Sequence, residues 1–185
     1  MKRKTVKRIN APGDAHCLTF SCYHRLPLLR SETLCRWLAE AIGRAREDEA
    51  FDLWGYVFKP EHVHLLVYPR EREYSLSRIL TATKRPVAWQ AIKHLRASAD
   101  PLLESLRGRD RSRAQFRLWQ TGGGHGRNLQ STPAIHAMLD YIHYNPVARG
   151  LVGREHEWKW SSAGDWEGLL DQPLRIDRTL PPLMP

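Results

Sequence analysis

Two histidines and one tyrosine are the residues of this sequence whose types and spacing could do chemistry together. His62 and His64 stand two positions apart in the otherwise apolar run 62–68. If that run is a β-strand, both imidazoles leave the same face, roughly 6.5–7 Å apart along the strand. Neutral imidazole is a common ligand of divalent metals, so the pair could hold one ion. Two ligands do not complete a metal site, and the pair could equally be two half-exposed histidines of a strand.

The tyrosine, Tyr141, lies on a helix that the sequence predicts from Thr132-Pro133 to about residue 145. At 100° per residue, Tyr141 and Asn145 share one flank of the apolar stripe of this helix. The Tyr141 hydroxyl could therefore reach the edge of a cleft, and the Asn145 oxygen could be a third metal ligand. Two alternatives stay open: Tyr141 could be an ordinary packing residue, and Asn145 could cap a short turn that begins at Pro146.

A tyrosine beside a histidine-bound divalent ion is suited to phosphoryl transfer. The ion polarises the scissile phosphate and stabilises the leaving oxygen, while the tyrosine oxygen attacks in line and forms a covalent intermediate. A free tyrosine has a pKa of about 10, so it needs a nearby cation or metal to be activated. A metal-dependent phosphoester hydrolase in which Tyr141 is only structural is a further possibility.

The charge of the chain favours a nucleic-acid partner. The 185 residues carry a formal net charge of +9, with 29 Lys and Arg against 20 Asp and Glu. The excess lies in the first twelve residues and in the middle of the chain, whereas the sequence from Arg154 onward is net acidic. Arginine predominates in the middle, which suits bidentate phosphate contacts, although a solvated surface would also be basic.

Composition excludes several classes of protein. A hydrophobic fraction of 42% with seven tryptophans is too apolar for a disordered chain. No run of 18 apolar residues is present, and no apolar segment follows the basic start, so neither a membrane span nor a secretory signal is expected. Three cysteines without metal-ligand spacing, Cys17, Cys22 and Cys35, indicate reduced thiols in a cytoplasmic protein.

The elements that must position these residues follow from periodicity and turn signals. We predict strands at 15–23, 51–59, 62–68 and 115–120, and helices at 32–49, 75–97 and 132–145. Pro86 should kink or break the second helix, and the glycine-rich segment 122–126 should be a loop. The short Pro60-Glu61 connection predicts an antiparallel hairpin. This order is the split βαβ pattern of an α+β, ferredoxin-like antiparallel sheet with helices on one face and an added C-terminal helix.

Two segments carry a resemblance to a known family. The segment 60–67, with its histidine–hydrophobic–histidine centre, resembles that of the single-tyrosine (HUH) transposases. Residues 140–152, Asp-Tyr-Ile-His-Tyr-Asn-Pro-Val-Ala-Arg-Gly-Leu-Val, resemble their catalytic helix and are followed by Trp-Lys-Trp-Ser-Ser at 158–162. The pattern is most similar to that of the REP-associated tyrosine transposases, an IS200-like branch. The resemblance covers about residues 12–166. We predict a basic arm at 1–12, a transposase-like domain at 13–166 and a C-terminal tail at 167–185.

The resemblance implies a ferredoxin-like fold, Mg²⁺ or Mn²⁺ as cofactor, and cleavage of hairpin-flanked single-stranded DNA. The implied product is a 5′-phosphotyrosyl enzyme with a free 3′-OH. Carried over by motif, His62 and His64 are the metal ligands, Tyr141 is the nucleophile, and Asn145 matches a position where related enzymes place a polar ligand. Tyr144 is the alternative nucleophile, but it is predicted to point away from the core. The alternative function is a non-catalytic binder of hairpin DNA or RNA that keeps the fold.

The remaining assignments concern the DNA. Lys84 and Arg85 are expected to lie where the second helix borders the face of the histidines and to grip the scissile strand. Arg127 and Asn128 follow the glycine loop, whose bare backbone allows close approach of phosphate. Trp119 and Tyr23 could stack on unpaired bases or pack in the core. The arm supplies four further candidate contacts: Arg3, Lys4, Lys7 and Arg8. The expected partner is hairpin DNA resembling REP palindromes, bound by a nucleoid-associated monomer or homodimer.

Overall fold

The computed structural model describes residues 10–108, 115–121 and 124–183. Within these ranges the structure has four strands, three long helices and two short α-helices. In chain order the elements are β1 (Ala15–Ser21), α1 (Glu32–Asp48), β2 (Phe51–Lys59), β3 (His62–Pro69), α2 (Leu76–Ala97), α3 (Leu102–Ser105), β4 (His125–Leu129), α4 (Thr132–Ala148) and α5 (Ala163–Trp166).

The long helices begin where their capping residues stand. The Ser31 hydroxyl accepts a hydrogen bond from the backbone N–H of Leu34 at the start of α1, and Ser131 does the same for α4. Pro86 does not break α2, which runs without interruption from Leu76 to Ala97. Buried residues before and after the proline, Thr83 and Val87 among them, pack on one face and hold the two halves together.

The sheet has the order β2-β3-β1-β4, and each neighbouring pair is antiparallel. This confirms the predicted α+β class and the ferredoxin-like arrangement. The crossover helices α1 and α2 pack on the same face of the sheet, and α4 covers the other face. Val63 and Leu65 of β3 point toward α1 and α2. The alternating residues His62, His64 and Leu66 therefore point toward α4.

The prediction of a fourth strand at 115–120 is wrong. The fourth strand is β4, which begins inside the glycine-rich segment that was expected to be loop. The aromatic composition of 115–120 resembles that of a strand, but Trp119 packs in the core. Its ring lies edge-on against Phe20, and its indole N–H donates to the Lys84 carbonyl. Both Trp119 and Tyr23 are buried, so neither offers a ring to an unpaired base.

The C-terminal segment packs along the edge strand β2. The Leu53 N–H donates to the Asp177 carboxylate over 2.8 Å, and the Trp54 indole donates to the Thr179 hydroxyl over the same distance. The Tyr56 hydroxyl donates to the Leu174 carbonyl over 3.0 Å. Among the described residues no helix is long and apolar enough to cross a membrane. The three cysteines are free, and all three are buried.

Candidate active site

The two histidines converge on one point on the α4 side of the sheet. The Nε2 atoms of His62 and His64 lie 3.1 Å apart. The outer nitrogen of each ring has its own partner. The Glu61 carboxylate accepts from His62 Nδ1 over 3.0 Å, and the Thr19 hydroxyl is hydrogen-bonded to His64 Nδ1 over 2.8 Å. Thr19 reaches His64 because the two residues are directly opposite each other in the β1–β3 register.

Both rings are neutral near pH 7. The pKa of His62 is lowered to about 4 and that of His64 to about 3, chiefly by burial and in part by the positive charge of Lys59. With Nδ1 of His62 donating to Glu61, its Nε2 keeps a free lone pair. Neutral imidazole with an oriented outer nitrogen is the form in which histidine binds metals.

The spacing of the pair fits a single divalent ion. Metal–nitrogen bonds of about 2.0–2.1 Å place adjacent ligand nitrogens about 3.0–3.4 Å apart, and the observed separation is 3.1 Å. No group of three His, Cys, Asp or Glu side chains that could hold a metal occurs within 10–108, 115–121 and 124–183. A third protein ligand from these residues would therefore have to be of another type.

Asn145 is the predicted third ligand, and its amide oxygen is engaged by a lysine. The residue is buried, and its Oδ1 accepts a hydrogen bond from the Lys59 ammonium. Because α4 continues through Pro146 to Ala148, the alternative that Asn145 caps a separate turn is wrong. Asn145 thus lies on the flank that the helix periodicity predicts, but a cation holds its oxygen.

Lys59 is a part of this site that the sequence analysis missed. It is only 3% exposed, and burial lowers its pKa to about 8. It faces the histidines because it is directly opposite His62 in the β2–β3 register. The Pro60-Glu61 turn could have revealed it, because a two-residue connection pairs the residues on either side of it.

Tyr141 and His64 line the same groove. The tyrosine is 53% exposed, and its ring centre lies 5.8 Å from that of His64 at 83° between the ring planes. The groove has a volume of about 440 Å³, and its polar wall is formed by Thr19, His64, Arg127 and Tyr141. Tyr144 is similarly exposed at 55% but is not among the residues that line this groove.

Several contacts hold α4 in place over the sheet. Glu61 forms an ion pair with Arg149, just beyond the end of α4. Burial alone would raise the pKa of Glu61, but the hydrogen bond from Arg149 and the surrounding positive charge lower it, so the residue is a carboxylate. On the other flank of α4, His143 Nε2 lies 2.8 Å from the Ser162 hydroxyl. Sequence reasoning missed Arg149, which stands outside the predicted helix.

The candidate DNA contacts divide between the two faces of the sheet. Arg127 lines the groove, but Asn128, its neighbour on β4, points to the opposite face and donates to the Asp14 carboxylate over 2.9 Å. The expectation that Lys84 and Arg85 border the histidine face is wrong, because α2 packs on the other side. The Lys84 ammonium lies there, 5.5 Å from the ring centre of Phe20. Arg3, Lys4, Lys7 and Arg8 lie outside the described residues.

Comparison with solved structures supports the fold. No family model and no curated protein matches this chain. A solved structure of a REP-associated tyrosine transposase bound to a REP hairpin is similar over 100% of this chain and 99% of its own, with 20% identity and a TM-score of 0.66. A "putative transposase" from Deinococcus radiodurans R1 matches 78% of this chain and 97% of its own, with 17% identity and a TM-score of 0.42. The chain therefore has the fold of a REP-associated tyrosine transposase, the family that its motifs resemble.

Proposed function

We propose that this protein nicks and rejoins single-stranded DNA at hairpin-flanked sites, with a divalent ion and with Tyr141 as nucleophile. The observation that carries this proposal is the groove that Tyr141 shares with His64, whose Nε2 stands 3.1 Å from Nε2 of His62. The hairpin bound by the structural neighbour supports hairpin DNA as the substrate.

His62 and His64 would hold the ion, with Asn145 as third ligand once its oxygen is free of Lys59. When bound, Mg²⁺ or Mn²⁺ would polarise the scissile phosphate and stabilise developing negative charge. Glu61 and Thr19 fix the orientation of the two imidazoles through their Nδ1 atoms. Arg127, on the groove wall, would pair with a phosphate of the incoming strand.

In the proposed reaction, Tyr141 is the nucleophile. Its oxygen forms a bond to phosphorus while the bond from phosphorus to the 3′ oxygen breaks, which leaves a 5′-phosphotyrosine and a free 3′-OH. The proton that the tyrosine loses is balanced by the proton that the leaving oxygen takes up. Rejoining is the same step in reverse, with a 3′-OH attacking the phosphotyrosine.

The test is formation of a covalent adduct. The protein is incubated with a hairpin-containing DNA single strand and Mn²⁺, and a denaturation-resistant protein–DNA band is expected on a gel. Tyr141→Phe should abolish the band. Tyr144→Phe is the matched control, because Tyr144 is similarly exposed on the same helix but does not line the groove. Loss of the adduct in Tyr144→Phe, with retention in Tyr141→Phe, would refute the assignment of the nucleophile.

A second candidate function is supported by the Lys59–Asn145 contact. With the amide oxygen held by an ammonium group and no third His, Cys, Asp or Glu ligand among the described residues, the protein could bind hairpins without cleaving them. Tight binding with no adduct in either Mg²⁺ or Mn²⁺ would favour this non-catalytic role.

A further inference from the structure

The outward face of α2 has a charge pattern that the proposed reaction does not use. Residues 74–99 contain no Asp or Glu, and they include five cations: Arg78, Lys84, Arg85, Lys93 and Arg96. The neighbouring helix α1, in the same layer, mixes four acids with three arginines. Arg78, at the start of α2, forms an ion pair with Glu49 over 3.0 Å. The positive charge of α2 is therefore a local property and not a general feature of this layer.

An exposed tryptophan lies in the middle of this charge. Trp89 is 65% exposed, which is unusual for so large an apolar ring. Arg85 and Lys93 stand four residues before and after it, so all three share one side of the helix. The Lys93 ammonium lies 5.0 Å from the centre of the indole ring. Trp89, Lys93 and Arg96 line a groove of about 400 Å³ on this surface.

We propose that the α2 basic face, formed by Arg85, Trp89, Lys93 and Arg96, binds a single-stranded segment of the DNA substrate. Cations that follow a backbone beside an aromatic ring that stacks on a base are the usual means of binding unpaired strands. Unpaired DNA is favoured over a duplex stem because only unpaired bases offer a free face to Trp89. The inference rests on the proposed function, since it assumes that DNA is the partner.

The position of this face gives it a role separate from the chemistry. It lies on the α1–α2 side of the sheet, whereas His62, His64 and Tyr141 lie on the α4 side. The same DNA strand would then be held at two points, and the second contact would raise the effective concentration of the scissile segment at the groove. An acidic protein segment could also meet the cations, but its carboxylates offer no π-face to stack on the Trp89 ring.

The inference is tested by DNA affinity, measured by fluorescence anisotropy with a hairpin that carries single-stranded flanks. Trp89→Ala should weaken binding about tenfold or more, and Trp89→Phe, which keeps a ring, should retain most of the affinity. Arg85→Gln with Lys93→Gln should reduce the slope of log affinity against log salt by about 0.7 for each phosphate that the protein no longer neutralises. The control pair, Arg36→Gln with Arg44→Gln, removes two exposed arginines from α1 and should change the slope little.

The outcomes separate this inference from the proposed function. Equal losses in the α2 and α1 charge variants, or unchanged affinity in Trp89→Ala, would overturn it. An equal effect of Trp89→Ala on a blunt hairpin without flanks would also overturn it, because the ring would not then be contacting unpaired bases. Failure of the unaltered protein to form the Tyr141 adduct, with binding to flanks still dependent on Trp89, would refute the proposed cleavage and leave the inference standing. Circular dichroism of each variant is the control for retention of the fold.

Discussion

Gly124 is the residue whose substitution should most directly disturb the frame that holds His64. Its φ of +71° lies in the left-handed region, and a Cβ at this position would stand 1.9 Å from the Thr19 carbonyl oxygen and 2.9 Å from its carbon. Both atoms belong to the backbone, so no side chain can move aside. Thr19 is also the residue that is hydrogen-bonded to His64 Nδ1. A side chain at 124 would therefore push on the strand that orients the histidine pair.

The cost of Gly124→Ala can be worked from this geometry. The left-handed backbone costs a non-glycine residue about 1–2 kcal/mol. Relief of the overlap requires the chain to retreat by about 1 Å, which would weaken the end of the β1–β4 ladder and the Thr19–His64 bond at about 1 kcal/mol for each hydrogen bond that breaks. We expect Gly124→Ala to lower the free energy of unfolding by about 3 kcal/mol.

The measurement is urea denaturation of Gly124→Ala beside Gly126→Ala. Gly126 is the matched control, two positions along in β4, because its Cβ would meet only Leu18 Cδ2, at an ordinary 3.9 Å. Alanine at 126 should leave stability unchanged or slightly higher, since it reduces the conformational freedom of the unfolded chain. If the two variants unfold within about 0.5 kcal/mol of each other, the argument from close backbone approach is refuted.

Three further predictions follow from buried groups. Burial lowers the pKa of His143 to about 4, whereas the pKa of a histidine in the unfolded chain is about 6.5. Between these two pH values the unfolded state binds more protons than the folded state. The free energy of unfolding should therefore be level above about pH 6.5 and fall as the pH drops toward 4, by about 3 kcal/mol from this residue. Denaturation at a series of pH values should show a shallower fall in His143→Gln, and an unchanged profile would contradict the assignment. Lys59→Met should raise the affinity of the DNA-free protein for Mn²⁺ at least tenfold in calorimetry, because it removes a buried cation and frees the Asn145 oxygen. The control is Lys159→Met, which removes a lysine from an exposed ion pair with Glu32. Weaker Mn²⁺ binding in Lys59→Met would contradict this role of Lys59. Burial raises the pKa of the thiols of Cys17, Cys22 and Cys35. A thiol reagent at about pH 8 should therefore react with them only after the chain unfolds. Rapid labelling of the folded protein would refute this prediction.

The parts of the fold that were predictable are those with local signals. The alternation in β3 placed Val63 and Leu65 on one face and both histidines on the other, and the structure has the same division. The stripe of α4 placed Tyr141 and Asn145 on one flank, because helical periodicity fixes relative direction within one element. These patterns depend only on neighbours along the chain.

The errors arose where distant segments decide the outcome. Residues 115–120 have the composition of a strand, yet Trp119 is drawn into the core beside Phe20. The glycines that indicated a loop allow close approach to the β1 backbone at Gly124, just before β4 begins. Intrinsic strand preference is weak compared with packing, so tertiary contacts override it.

The sequence by itself determined the pieces of the candidate site: a histidine pair on one strand face, a tyrosine on a helix flank, and an excess of positive charge. It determined the first two because each depends on a repeat of two or 3.6 residues within one element. Only the tertiary structure decided which pieces meet. The β2–β3 register brought Lys59 to His62, and the packing of α4 brought Tyr141 to His64. Packing against α1 holds α2 on the far side of the sheet, so its cations do not line the groove.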